Sequence, residues 1–167
     1  MKIGVYLIFI KEATITELIL ARQELSDALC GLSETELEYP MGPGEWRVRD
    51  LLAHLNHWNR WRLTRIQAII QGKGRLGHFS YIDADMVNWH VAQAWAFHPL
   101  FDVLAEFEAS HEERIAFIRS LPPQWTGRVW EFGGAPMDLR RWFGYAADHE
   151  RSHAEELHRW RMECLKR

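Results

Sequence analysis

Cysteine is scarce in this chain of 167 residues, which contains only Cys30 and Cys164. The two cysteines lie far apart in the sequence and neither belongs to a CxxC motif. The sequence therefore has neither a disulfide framework nor a thiolate metal cluster. This cysteine usage favours a reducing, cytoplasmic compartment.

Long hydrophobic runs are also absent. The most apolar segment spans residues 3–10, is followed at once by Lys11 and Glu12, and is too short to cross a bilayer. It also lacks the small-residue cleavage site of a signal peptide. We expect no membrane partner, and we interpret residues 1–12 as an N-terminal extension of a single domain that comprises residues 1–167.

An excess of positive charge is missing as well. The chain has 20 Lys and Arg against 23 Asp and Glu, which gives a formal net charge of −3. Proteins that bind a phosphate backbone usually depend on clustered positive charge. The arginines at 47, 49, 60 and 65 do not share one helix face at about 100° of rotation per residue. The sequence therefore predicts no nucleic-acid partner.

Four segments in which apolar residues recur with a helical period predict an all-α fold, a four-helix bundle. The first covers residues 14–32, with Thr14 and Glu17 in capping-box spacing, and the second covers residues 47–71. The third lies between the prolines at 99 and 122, and the fourth runs from Asp138 to about residue 165. A short helix over residues 85–97 is expected within a long connection between helices two and three, and residues 127–136 are predicted to be a loop.

The chain contains nine histidines, and their positions on the helices separate buried from solvated candidates. With about 100° of rotation per residue and Trp142 at the centre of the apolar stripe, His149 and His153 point into the bundle. His158 falls on the opposite side of the same helix. The same construction on the second helix directs His54 inward.

Three inward-facing histidines favour a metal site. Two histidines at i and i+4 can both reach one ion at about 2.0–2.1 Å. A third from a neighbouring helix leaves coordination positions open, as in catalytic rather than structural sites. Nine histidines give about 0.5 HxxxH pairs by chance, so the prediction depends on the place of the pair on the apolar stripe.

Residues 149–153 also form an HExxH string, which in zinc proteases supplies two ligands and a general base. A helical chain offers no strand with which an extended peptide could pair, so a protease is disfavoured. We interpret Glu150 as a residue that orients a ligand imidazole or is simply solvated, since its helical angle points partly outward.

The sequence around these histidines resembles that of a known family. Residues 45–55, EWRVRDLLAHL, together with Trp58 are similar to the second-helix motif of the DinB/YfiT-like metalloenzymes. The HxxxH of residues 149–153 is similar to the motif of their fourth helix, and residues 83–124 resemble their third-helix region, nearest the ClbS/DfsB branch. Arg47 departs from the family pattern, which usually has a serine there as a helix cap.

The resemblance implies a four-helix bundle of mirror-variant up-and-down topology, often a homodimer, with a divalent metal such as zinc or nickel on His54, His149 and His153. It further implies an enzyme that acts on a small-molecule substrate. Such an enzyme is a thiol-dependent S-transferase that uses a low-molecular-weight thiol, or a hydrolase with a metal-activated nucleophile. Candidate pocket residues are Trp46, Trp58 and His111, and no catalytic residue is assigned.

A non-enzymatic interpretation stays open. Nine tryptophans would also suit a helical dimerisation or interaction protein whose metal site is structural or vestigial. An enzyme predicts a metal with an open coordination position, whereas a structural role predicts a closed shell and a loss of stability when the metal is removed.

Overall fold

The computed structural model describes residues 3–42, 45–72, 84–132 and 134–165, and most of these residues are helical. The helices are α1 Ile3–Leu29, α2 Glu34–Leu37, α3 Val48–Ile70, α4 Ala84–Trp95, α5 Leu100–Ser120, α6 Pro123–Thr126 and α7 Leu139–Trp160. A π-helical turn, Arg161–Leu165, follows α7, and two short strands, β1 Trp130–Phe132 and β2 Ala135–Met137, precede it. The four long helices α1, α3, α5 and α7 confirm the expected all-α bundle.

Two hydrophobic clusters fill the core, and a buried polar layer separates them. One cluster includes Leu25, Leu51, Leu55, Phe107 and Leu157, and the other includes Ile15, Leu18, Leu63, Ile118 and Phe143. The polar layer consists of Arg22, Asn59, His111, Arg114 and Glu150. Since α1 and α7 pass from the second cluster to the first, and α3 and α5 pass the opposite way, the long helices run up, down, down and up.

Helix α1 begins earlier than the sequence suggested. It starts at Ile3, so the expected separate extension is continuous with the first long helix. Thr14 does not cap a helix, because its Oγ1 donates a hydrogen bond to the carbonyl of Ile10 at 2.8 Å within the same helix. Apart from Gly4, residues 3–13 contain no helix breaker, so nothing in the chain stops the helix from continuing toward its N-terminus.

Lys11 joins this first part of α1 to the end of α5. Its Nζ donates to the carbonyl of Arg119 at 3.1 Å and to that of Leu121. These carbonyls lie at a helix end, where the α-helix itself provides no donors. None of the described helices has the length and apolar character that would be needed to cross a membrane.

A small hairpin occupies most of the segment that was predicted to be a loop. Strands β1 and β2 pair antiparallel, with Trp130 opposite Met137 and Phe132 opposite Ala135, and Gly134 takes a φ of 79° at the turn. Three-residue strands are too short for alternation to reveal them. The hairpin brings the ring of Phe132 to 4.9 Å from that of Trp142 in an edge-on contact.

The start of α3 shows how Arg47 replaces the capping serine. Its backbone N–H donates to Oδ2 of Asp50 at 3.1 Å, and its Nε donates to the same oxygen at 2.8 Å. Its Nη1 also pairs with Glu38 at 2.9 Å. The carboxylate of Asp50 thus accepts from the N-cap backbone, which is half of a capping box, and the helix begins where it was predicted to begin.

The connection between α3 and α5 contains the expected short helix. Helix α4, Ala84–Trp95, packs against α3 and corresponds to the segment predicted over residues 85–97. Residues 73–83, part of the predicted loop, lie outside the described residues. Pro99 precedes α5 as its N-cap, which agrees with the preference of proline for the first positions of a helix.

Candidate metal centre

The structure brings the three predicted histidines together. His54 lies in the second turn of α3, and His149 and His153 lie one turn apart on α7. The Nε2 atom of His149 is 2.9 Å from Nε2 of His54 and 3.2 Å from Nε2 of His153. Two nitrogens that each lie about 2.0 Å from a tetrahedral ion are about 3.3 Å apart. The observed separations are close to that value.

Asn88 of α4 determines which nitrogen of His54 carries the proton. Its Oδ1 accepts from the indole Nε1 of Trp58 at 2.9 Å, and an indole nitrogen can only donate. Nδ1 of His54 lies 3.0 Å from the same oxygen and must therefore donate as well. In the neutral ring, Nε2 of His54 is left with a lone pair directed at the other histidines.

Glu156 has the same effect on His153. Nδ1 of His153 lies 2.8 Å from Oε2 of Glu156, and a hydrogen bond from the histidine lowers the pKa of this carboxyl group. The carboxylate accepts, so Nδ1 carries the proton and Nε2 is left free. A carboxylate or carbonyl behind a histidine is the arrangement that orients metal ligands in many metalloproteins.

A proton on Nε2 of His149 could link this atom to one of the two neighbouring Nε2 atoms, but not to both. Burial, and next the neighbouring imidazole of His153, lowers the pKa of His54 to about 4 and that of His149 to about 3. These two rings are therefore neutral at pH 7, and converging lone pairs repel one another unless a proton or a cation lies between them. Imidazole nitrogens suit divalent zinc, nickel and copper, so the residues fit a divalent metal ion.

A cavity of about 880 Å³ opens beside the histidines and reaches solvent. One side of it is aromatic and apolar, formed by Trp58, Trp61, Phe132, Met137 and Trp142. Polar groups line the rest, among them Arg62, Asn88, Tyr145, Asp148 and Ser152, together with His54 and His149. A mostly apolar concavity with a few convergent polar groups is the usual form of a small-molecule site.

The three predicted pocket residues have different positions. Trp58 lines the large cavity. The ring of Trp46 lies 4.9 Å from that of His54, and it also lines a smaller pocket of about 290 Å³. His111 belongs to the buried polar layer instead, where its Nδ1 is 3.2 Å from Nη2 of Arg114.

Glu150 contradicts the expectation that it points partly outward. It is fully buried, because α1 packs along α7 and covers this side of the helix. Its Oε1 accepts from Arg22 at 3.0 Å, Asn59 at 3.1 Å and Arg114 at 2.6 Å, and its Oε2 accepts from Arg22 at 3.1 Å. Burial alone would raise its pKa, but the guanidinium groups of Arg114 and Arg22 hold the pKa at about 2.

Sequence reasoning could have found this layer through its arginines. Arg22 lies between Leu18 and Leu25 on the apolar face of the first helix, and Arg114 lies next to Ile115 on the third. An arginine on a core face needs a buried partner. The polar layer joins all four long helices, and its carboxylate belongs to Glu150, the residue that follows His149.

Solved structures that resemble this chain show the same fold. The colibactin self-resistance protein ClbS, in complex with double-stranded DNA, has a TM-score of 0.78 at 16% identity, with 93% of this chain and 96% of that chain covered. An uncharacterised protein from Escherichia coli UTI89 has a TM-score of 0.73 at 15% identity, with coverage of 90% and 92%. YfiT from Bacillus subtilis, described as "a probable metal-dependent hydrolase with an unusual four-helix bundle topology", has a TM-score of 0.56 at 18% identity, with coverage of 90% and 85%.

The prediction that nucleic acid is excluded as a partner is wrong. It was based on the net charge of −3 and on the lack of one arginine face on the second helix, whereas ClbS, which shares this fold, forms a complex with double-stranded DNA. Net charge averages over the whole chain and does not show how basic side chains are grouped on the surface. Composition therefore does not exclude nucleic acid for a protein with this fold.

Comparison with curated proteins gives no significant match. A family model described as the DinB superfamily, however, matches residues 17–157, which include α3, α5, most of α7, the second half of α1 and the three histidines. The match agrees with the resemblance of the two histidine motifs. This chain belongs to the DinB superfamily.

Proposed function

We propose that this protein is a divalent-metal-dependent hydrolase whose metal is held by His54, His149 and His153 and whose substrate is a small molecule bound in the adjoining cavity. The observation that carries the proposal is the convergence of three Nε2 atoms, of which those of His54 and His153 are left free of protons by the partners of their Nδ1 atoms. The description of YfiT as a probable metal-dependent hydrolase supports the same class of reaction.

The metal would contribute a nucleophile at neutral pH, since a divalent cation lowers the pKa of water to about 7. The protein provides three nitrogen ligands from two helices, which leaves room for water and substrate. Asn88 and Glu156 hold the protons of His54 and His153 at Nδ1, so that these rings present their lone pairs to the centre.

The aromatic side of the cavity would bind the apolar body of the substrate. Trp58, Trp61 and Trp142 contact one another, with ring centroids 5.7 and 6.1 Å apart for the successive pairs. Such a packed wall keeps its shape and excludes water from the bound face of the substrate. The polar residues that line the same cavity would orient the reacting group.

The test combines metal content with activity. Protein purified without chelator is analysed for metals and assayed on a panel of aromatic esters and amides, with and without a low-molecular-weight thiol. His153→Ala should lose the metal and at least about 100-fold in rate, whereas His158→Ala, an exposed histidine on the same helix, should lose neither. Circular dichroism shows whether both variants keep their helices.

Two outcomes would change the proposal. A wild-type protein that neither contains nor rebinds a divalent metal would contradict it. A rate that depends on the added thiol would identify a thiolate as the nucleophile and would make the protein an S-transferase rather than a hydrolase.

A further inference from the structure

Arg62 is a cation without a counter-ion inside the aromatic cavity. It lies on α3 about two turns beyond His54, is partly buried, and lines the cavity together with Trp58 and Trp142. Its backbone carbonyl accepts from the indole of Trp142 at 3.3 Å. Its guanidinium group forms no ion pair or hydrogen bond within the part of the chain that the structure describes.

Other arginines of the same helix have carboxylate partners. Arg47 and Arg49 both pair with Glu38, at 2.9 and 2.6 Å. Arg60, only two residues before Arg62, pairs with Glu106 at 2.5 Å. The carboxylates of these pairs are partly exposed, 37% for Glu38 and 23% for Glu106, whereas Arg62 lines the cavity. Arg65 of α3 has no carboxylate partner in the described part of the chain either, but it is exposed and its guanidinium lies over the ring of Trp61. Among the arginines of this helix, Arg62 is the one that lines the cavity without a counter-ion.

Glu150 is the buried carboxylate that attracts Arg62, but it already accepts hydrogen bonds from other residues. Both of its oxygens accept hydrogen bonds from the polar layer. Two buried arginines, Arg22 and Arg114, already share this one negative charge. With Arg62 added, the guanidinium groups of Arg22, Arg62 and Arg114 face the single carboxylate of Glu150, and a divalent metal would increase this local excess of positive charge.

The isolation of Arg62 is unfavourable in the free protein. Burial lowers the pKa of its guanidinium to about 10, and repulsion from Arg114 adds to this, with a partial offset from Glu150. The group is still protonated at neutral pH. Arg62 is partly buried, and a charge that is partly removed from water without a partner costs free energy, which a bound ion of opposite charge would offset.

Asp148 also lines the cavity but does not neutralise Arg62. Its side chain is 74% exposed, and its Oδ1 lies 3.6 Å from Nη1 of Arg151 on the same helix. A carboxylate in water at the mouth of the cavity is strongly screened. An anion that enters the cavity therefore meets its main attraction at Arg62 and at the metal centre.

We propose that Arg62 binds an oxyanion, a carboxylate or a phosphate group, on an aromatic small molecule, and that this molecule is the substrate of the three-histidine site. The inference rests on the proposed function of that site. A guanidinium group presents a planar pair of N–H donors that matches the two oxygens of such a group. The tryptophans beside it would hold the aromatic body, so that the substrate lies between Arg62 and the histidines.

The test measures the binding of three probes to the full-length protein by titration calorimetry. The probes share one aromatic body and differ in charge: 2-naphthoate, 2-naphthyl phosphate and the neutral 2-naphthamide. They are applied to wild type, Arg62→Gln and Arg119→Gln. Arg119 is exposed near the end of α5, so its variant makes the same charge change outside the cavity. Metal content is measured for every sample.

Wild type and Arg119→Gln should bind at least one anionic probe about ten- to hundredfold more tightly than the amide. Arg62→Gln should lose this preference while it binds the amide as before, which also shows that the cavity is intact. The probe that binds more tightly identifies the oxyanion as carboxylate or phosphate.

Three results would overturn the assignment of Arg62. The first is that wild type binds the anionic probes and the amide with equal affinity, the second is that Arg62→Gln keeps the preference for an anionic probe, and the third is that no probe binds at all. Failure of the proposed function would appear in the metal analysis, as a wild-type protein that binds no divalent metal. The two results come from separate measurements on the same samples.

Discussion

Nδ1 of His54 lies 3.0 Å from Oδ1 of Asn88, so a residue of α4 fixes the protonation of a ring on α3. The indole of Trp58 donates to the same oxygen and sets the orientation of the amide. Helix α4 belongs to the long connection between the second and third helices of the bundle. This connection therefore takes part in building the metal centre as well as in joining two helices.

Replacement of Asn88 by leucine should weaken metal binding without unfolding the protein. Leucine has a similar size but cannot accept the proton of His54, so the ring is free to rotate or to change tautomer. Loss of such a supporting group typically costs 10–100-fold in metal affinity. Competition with a chelating dye measures this, and Gln93→Leu, an exposed position on the same helix, should have no effect. Equal affinity in wild type and Asn88→Leu would show that the amide does not orient His54.

Glu156 should matter for metal affinity, and its neighbour Glu155 should not. Glu156 accepts from Nδ1 of His153 at 2.8 Å, whereas Glu155 is exposed. We expect Glu156→Ala to lower zinc affinity about tenfold and Glu155→Ala to leave it unchanged in the same competition assay. Glu156→Gln keeps an accepting oxygen and should lie between the two. An equal response of the two alanine variants would contradict this role.

Glu150→Gln should destabilise the fold strongly. Glu150 is the one carboxylate that Arg22 and Arg114 share in the core, and its removal leaves two buried guanidinium groups without a negative partner. Breaking a buried ion pair from one side costs about 3–5 kcal/mol. Urea unfolding measures the change, and Glu155→Gln at the surface should stay within about 0.5 kcal/mol of wild type. A loss below about 1 kcal/mol for Glu150→Gln would contradict the structural role of this layer.

His111 should make the stability depend on pH. Burial, and then repulsion from Arg22 and Arg114, lowers its pKa from 6.5 to about 4 in the folded protein. The unfolded chain therefore binds more protons between these two pH values, and the contribution of His111 to stability is present above pH 6.5 and lost as the pH falls to about 4. The loss amounts to at most about 3 kcal/mol.

The variant His111→Gln isolates this effect. Glutamine does not titrate and can still accept a hydrogen bond from Arg114. The difference in unfolding free energy between wild type and His111→Gln should change across this pH range, whereas His158→Gln, on the surface, should follow wild type. Parallel curves for wild type and His111→Gln would show that His111 is protonated equally in the folded and unfolded states.

The helical period was sufficient to predict the four long helices and the convergence of the histidines. His54, His149 and His153 each lie on the face that packs into the bundle, so rotation along the helix determines their direction. The same argument failed for Glu150, because its burial depends on α1 packing along α7, which a single helix does not reveal.

Other features depend on contacts between segments that are distant in sequence. Asn88 and His54 are in contact although they lie 34 positions apart in the sequence. Nothing in the sequence of the short helix α4 indicates that one of its residues contacts a histidine. The hairpin has three-residue strands, below the length at which alternation can be recognised. The helical period places Arg62 on the same face of the second helix as Trp58 and Ile66, but its lack of a partner became visible only in the packed structure.

X-ray absorption spectroscopy of the zinc-loaded protein reports the atoms bound to the metal. It therefore shows directly whether His54, His149 and His153 hold the ion. We expect one zinc per chain with three imidazole nitrogens at about 2.0–2.1 Å and at least one further light-atom ligand. His54→Ala, on α3, should lose one imidazole or the metal itself. A spectrum without three imidazoles, or a protein that does not retain zinc after desalting, would contradict the assignment of the three histidines as metal ligands.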